Sequence, residues 1–154
     1  MMDDIVLNKK ENIERCIQQI RTYYALPSDT PFEGDYLKQD AIAINMQRAC
    51  EQCIDLANHT IRKQKLGLPK TSRESFRLLA RNNIIPRDLA ANLENMVGFR
   101  NTVVHQYQEL DLQLMVEVIE HHLDDLIDFS NHIMKAFLEY PAEDISSEEN
   151  GLPD

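Results

Sequence analysis

Asp111–Phe137, DLQLMVEVIEHHLDDLIDFSNHIMKAF, decides the fold class. Leu112, Met115, Ile119, Leu123, Leu126, Ile127, Ile133, Met134 and Phe137 recur mostly at steps of three and four, the period of one face of an α-helix. The spacing predicts a single long helix from about Asp111, ended by Pro141.

Working outward, the same period recurs upstream. Leu89, Leu93, Met96, Val97 and Val104 mark a helix that starts at Pro86. Before it, Thr71 with Glu74 three residues on reads as a capping box, opening a helix that Asn82-Asn83 closes after Arg81. A longer stripe, Ile42, Met46, Ala49, Cys53, Leu56 and Thr60, follows Thr30-Pro31-Phe32-Glu33, a second helix-start signature. An irregular first turn is expected around Gly34, and Gly67 with Pro69 beyond it is expected to end the helix. Ile13, Ile17, Ile20 and Tyr24 give a first helix from Asp3 or Asp4, stopped by Pro27. No strand pattern and no internal repeat interrupts this series. The fold class is therefore all-α, a bundle of about five helices joined by short connections. The helical domain spans 1–140, and the acidic segment 141–154 is expected to be disordered.

Composition agrees. The 154 residues suit one domain with a single core, there is no Trp, and Gly occurs four times. MMDDIVLNKK has no basic region followed by an apolar run, so no signal peptide is read, and no stretch reaches the roughly 18 apolar residues of a membrane span. Three cysteines leave one unpaired, which argues against a disulfide framework and for a cytoplasmic setting. The net charge of −10 opposes nucleic-acid binding when taken as a whole. It is unevenly placed, however. Between Arg48 and Arg100 ten Lys and Arg face five Asp and Glu, so the middle carries +5 and the flanks −15. A basic middle of that kind either holds a short nucleic-acid segment or is a solvated helical surface.

Arg100 breaks the pattern of its helix. It lies four residues after Met96, three after Val97 and four before Val104, on the apolar stripe itself. A guanidinium there needs a buried partner, a snorkelling route to water, or a stripe that faces a polar cleft or interface. Its neighbourhood is Gly98-Phe99-Arg100-Asn101-Thr102-Val103-Val104-His105-Gln106-Tyr107. This stretch resembles the R-x4-H-x-Y signature of HepT-like HEPN proteins, the toxin halves of type II or type VII toxin–antitoxin modules. Met96-Val97 before it, Cys53-Ile54-Asp55-Leu56-Ala57-Asn58-His59 upstream and the order of helices are also similar to that family. The resemblance covers about residues 3–138.

The resemblance implies a HEPN-like bundle and RNA cleavage without a metal or other cofactor. In that chemistry a ribose 2′-OH attacks its own phosphate. By the family pattern His105 moves the proton, Arg100 holds the phosphate through a bidentate fork, and Asn101 orients the pair. Tyr107 would receive AMP from an MNT-type minimal nucleotidyltransferase antitoxin, adding an anion beside the phosphate-binding arginine. A homodimer with its cleft at the dimer interface is implied too. Helix geometry bears on this point. Five residues at about 100° each put Arg100 and His105 about 140° apart, so one unbroken helix cannot present both on one face. Either the helix ends between them or two chains share a site.

Other candidates are weaker. Cys50-Glu51-Gln52-Cys53 lies inside a helix without a second pair, so packing is the expected role. Asp55 and His59 are four apart and either support the site, as their family-like setting suggests, or form a helix-surface pair; Glu117 and His121, beside His122, are also four apart. No metal site, P-loop, dinucleotide fingerprint or nucleophile elbow is read. Two functions stay open: a ribonuclease toxin acting on RNA, and a non-catalytic helical module that docks a nucleotidyltransferase.

Overall fold

Asp3 sets the first helix. Its Oδ1 accepts from the backbone N–H groups of Ile5 at 2.8 Å and Val6 at 3.3 Å, pairing two of the donors that a helix start leaves free. In the computed structural model, which describes residues 2–105 and 111–139, six α-helices follow among the described residues: α1 (Asp4–Ala25), α2 (Tyr36–Gln64), α3 (Ser72–Arg81), α4 (Arg87–His105), α5 (Leu112–His121) and α6 (Leu123–Glu139). The expected disordered tail at 141–154 lies outside the described residues.

The apolar stripes become the core. Ile13, Ile17 and Ile20 of α1 are fully buried, as are Ile42, Ala49 and Leu56 of α2. α1 packs along α2 and α6, and α3 pairs with α4, both of them also against α2. Phe76 of α3 meets Phe129 of α6 edge to face, ring centroids 5.4 Å apart. Fully burying side chains of this size contributes roughly 1.5–3 kcal/mol each, which is why α2, with both flanks covered, is the central rod.

The chain departs from its sequence pattern at three helix ends. Thr30 and Glu33 do not open α2. A single 3-10 turn, Phe32–Gly34, comes first, braced by the Gln39 amide donating to the carbonyls of Phe32 and Glu33. Asp35 then caps α2 through the Lys38 N–H at 3.1 Å, its other oxygen held by the Ser28 hydroxyl at 2.7 Å. At the far end of α2, Lys65 takes the left-handed conformation (φ 55°), and the Leu66 N–H reaches back to the Ile61 carbonyl at 3.0 Å. Gly67, two residues later, is also at positive φ.

The third departure is larger. The helix expected from Asp111 onward is two helices, broken at His122, where ψ is −1°. No Gly or Pro lies there. Instead His122 Nδ1 lies 3.3 Å from Asp125 Oδ2, and Asp124 and Asp125 sit in the first turn of α6. Carboxylates are favoured at a helix start by its dipole, so His-His-Leu-Asp-Asp makes a new N-terminus. Because Ile119 and Leu123 on either side are both buried, the apolar stripe crosses the break unmarked.

Candidate active site

The site is built on the last two turns of α4. Leu93, Met96, Val97, Phe99 and Val103 of this helix are buried, so Arg100 lies among apolar neighbours, as the sequence implies. Its side chain is one-fifth exposed and turns toward α2. There Nη1 stands 3.9 Å from Oε1 of Glu51, while Nε is buried without a hydrogen-bond partner. Cys50 adjoins the same guanidinium. Burial pushes its thiol up to about 12, although the charge of Arg100 pulls the other way. The arginine is thus neither snorkelling freely nor locked in a close ion pair.

A shallow groove runs between α2 and α4, lined by Asp40, Ala43, Ile44, Gln47 and by Val103, three residues on from Arg100. On its α2 side Leu37 and Ile44 are exposed, at 82% and 42%. Leu37, Ile44 and Glu51 are spaced by seven, so they share one side of α2. An uncovered apolar line therefore leads to the carboxylate that faces Arg100. A wider cleft among the described residues lies elsewhere, lined by Gln64, Asn82, His132 and Lys135 among others, and includes none of the motif residues.

Asn101 is exposed beside Arg100. His105 is the last residue of α4. The helix is continuous from Arg100 to His105, so the two residues stay about 140° apart around its axis. Of the two geometries the sequence leaves open, a break between them is removed. Tyr107 lies outside the described residues. Glu51 is absent from the residues that sequence reasoning singles out. Its only signal is the seven-residue spacing from Leu37 and Ile44.

The remaining candidates resolve as structure. His59 does not pair with Asp55. Its Nε2 lies 2.8 Å from Oδ2 of Asp3, with both side chains nearly buried, and its ring stacks on Phe137. Asp55 pairs with Lys9 at 3.3 Å. Burial raises the Asp3 carboxyl, but hydrogen bonds from His59, Ile5 and Val6 outweigh it and hold the group below its ordinary value. Cys50 and Cys53 are buried free thiols in α2. Glu117 lies 4.0 Å from His121 and 3.9 Å from His122, and no group of three or more metal-ligating side chains forms among the described residues.

Comparison with known proteins covers this same helix. Residues 13–133 match the family model described as ribonuclease HepT-like. The chain belongs to the HepT-like family. Among relatives of HepT type, the mRNA nuclease HepT of Shewanella oneidensis is 49% identical over 128 residues, 83% of this chain and 95% of that one. The tRNA nuclease HepT of Aphanizomenon flos-aquae is 26% identical over 110 residues, 70% of this chain and 72% of that one. The solved structure of the tri-AMPylated Shewanella oneidensis HEPN toxin in complex with MNT antitoxin superposes with a TM-score of 0.80 at 48% identity, covering 88% of this chain and 99% of the solved one. The all-α, HEPN-like fold expected from the sequence is thus established, and no helix among the described residues is long and apolar enough to cross a membrane.

Proposed function

We propose that this chain is the toxin component of a toxin–antitoxin module, a cytoplasmic endoribonuclease that cuts RNA without a metal ion and is silenced by AMP on Tyr107. The observation that carries the reading is the half-buried, incompletely paired Arg100 on the apolar stripe of α4, in a chain that matches the HepT-like family across that helix.

The chemistry follows from the groups present. His105 takes the proton from a ribose 2′-OH, a role that suits an imidazole near neutral pH. The 2′ oxygen forms a bond to the adjacent phosphorus, and the bond to the 5′ oxygen breaks. A proton returned by an imidazolium leaves a 5′-OH, and the other product carries a cyclic phosphate. Arg100 places its fork on the non-bridging oxygens and offsets the charge that grows there. Asn101 orients the pair. Because Arg100 and His105 are placed about 140° apart around one helix, a working site combines the arginine of one chain with the histidine of a second. The exposed Leu37 and Ile44 on α2 support such a homodimer. The antitoxin is a minimal nucleotidyltransferase of MNT type. It transfers AMP from ATP to the Tyr107 oxygen, which gives up its proton as pyrophosphate leaves, and the new phosphate competes with RNA for Arg100.

The test is incubation of the purified protein with total cellular RNA in excess EDTA, beside the Arg100→Ala and His105→Ala proteins. Discrete cleavage by the parent alone is expected. An unmodified parent by intact mass that leaves RNA uncut would overturn the reading in favour of a docking module.

A further inference from the structure

The α3 helix carries cations that the R-x4-H-x-Y chemistry does not use. Arg73, Arg77 and Arg81 follow one another at steps of four on its exposed side. Arg77 is held by Glu94 of α4 at 2.7 Å. Neither Arg73 nor Arg81 has a carboxylate partner among the described residues. Arg73 lies across Gly98 of α4, so close that a Cβ there would stand 2.7 Å from its Nη2. The absent side chain at Gly98 is what lets a guanidinium rest on the helix that carries the site.

These two contacts fix the register of the helix pair. Arg77 sits level with Glu94 and Arg73 with Gly98, so α3 and α4 run antiparallel side by side. Extended by the same rule, Arg81 lies level with Ala90. The stripe therefore runs Arg81, Arg77, Arg73 in the direction of the His105 end of α4. Gly98 and His105 are seven residues apart, which brings them within about 20° of each other around the helix, some 10 Å along its axis. The cations and His105 thus share one side of α4, whereas Arg100 faces the other way, toward α2. Steps of four residues set the guanidinium groups roughly 6 Å apart along α3, similar to the step between phosphates of an extended strand. On a chain of net charge −10, such a row is held against the overall balance.

We infer that the Arg73–Arg81 stripe of α3 is a track for the phosphate backbone of single-stranded RNA, leading the strand along α4 to His105. The inference rests on the ribonuclease reading and deepens it. The track binds nucleotides flanking the cut, while Arg100 and His105 act on the reacting phosphate. Binding through backbone charge makes it tolerant of sequence and sensitive to salt.

The probe is a short, labelled single strand of 2′-O-methyl RNA, which cannot be cut because its nucleophile is blocked. Affinity is measured across a salt series for the unmodified parent, for R73Q/R81Q and for R73K/R81K, with circular dichroism to confirm the helices. Losing two phosphate contacts should flatten the plot of log affinity against log salt by about 1.4 in slope, and the lysine pair should keep the parent slope. Total RNA cleavage by the parent is followed in parallel. An unchanged slope in R73Q/R81Q, with the parent still cutting RNA, would discard the track and leave the ribonuclease reading intact. The track is equally discarded if R73Q/R81Q keeps its RNA slope but loses the nucleotidyltransferase, since the stripe would then be a protein-docking face. A parent that neither binds the strand nor cuts RNA would sink both.

Discussion

The guanidinium of Arg100 on α4 stands 3.9 Å from the carboxylate of Glu51 on α2, too far for a direct hydrogen bond, with its Nε buried and unpaired. Glu51 is about half exposed, so the attraction is screened and contributes roughly 0–1 kcal/mol. On the proposed function, the pair is a resting contact that an incoming phosphate would displace.

It follows that Glu51→Gln should tighten RNA binding, because the competing carboxylate is gone. The expected gain is at most about fivefold, the equivalent of roughly 1 kcal/mol. Titration of uncleavable RNA against both proteins measures it. Weaker binding by the variant would mean that Glu51 positions Arg100 rather than competing for it.

Asp3 does two tasks, capping α1 and holding His59. Asp3→Ala should destabilise the protein by about 1–3 kcal/mol in urea unfolding, since loss of a cap alone costs about 1 kcal/mol. Its pH dependence has a definite sign. The folded carboxyl lies below its ordinary 3.8, so its contribution is complete above that value and is lost as pH falls through the lower folded value. The parent should therefore lose more stability than Asp3→Ala on acidification below about pH 4. Equal losses would show that the pair carries no linked proton.

All three thiols are buried, and burial raises those of Cys16, Cys50 and Cys53, with Cys50 reaching about 12. Since the thiolate is the reactive form, the native protein should release almost no colour with a disulfide reagent at neutral pH. Addition of denaturant should expose three equivalents. Rapid reaction of one thiol in the native state would contradict the packing of α1 or α2.

Tyr107→Phe keeps the ring and removes the acceptor oxygen. Co-expressed with a minimal nucleotidyltransferase antitoxin, it should show no AMP adduct by intact mass and should remain toxic. If the antitoxin still neutralises the variant fully, silencing works by masking instead of modification.

Much of the fold is legible because each helix buries a periodic face. Ile13, Ile17 and Ile20, and then Ile42, Met46, Ala49, Cys53, Leu56 and Thr60, are all buried as their spacing requires. Where sequence and structure part, the chain chooses between nearby groups. Asp35 outcompetes Thr30 as the cap of α2 because Ser28 and the 3-10 turn support it, which no local count of cap residues reveals. The partner of His59 is Asp3, 56 residues away, where short-range spacing offers Asp55. At the site, Arg100 stands out as a charge on an apolar stripe. Glu51 does not, because a glutamate on a helix surface is ordinary until its neighbour across the bundle is known.

The break at His122 divides the cooperativity of the bundle. A single rod would have to leave the core as a whole. As a separate element, α5 has ten residues, shorter than the roughly 12–15 at which an isolated helix holds in water, and it is anchored by Met115, Val118 and Ile119. Its amides should exchange with solvent through local opening while those of α2 wait for global unfolding. In the order of the chain, α5 directly follows the stretch that bears Tyr107. On the proposed function, a modifying enzyme acting at Tyr107 would work next in sequence to a low-cost opening and leave the core that presents Arg100 undisturbed.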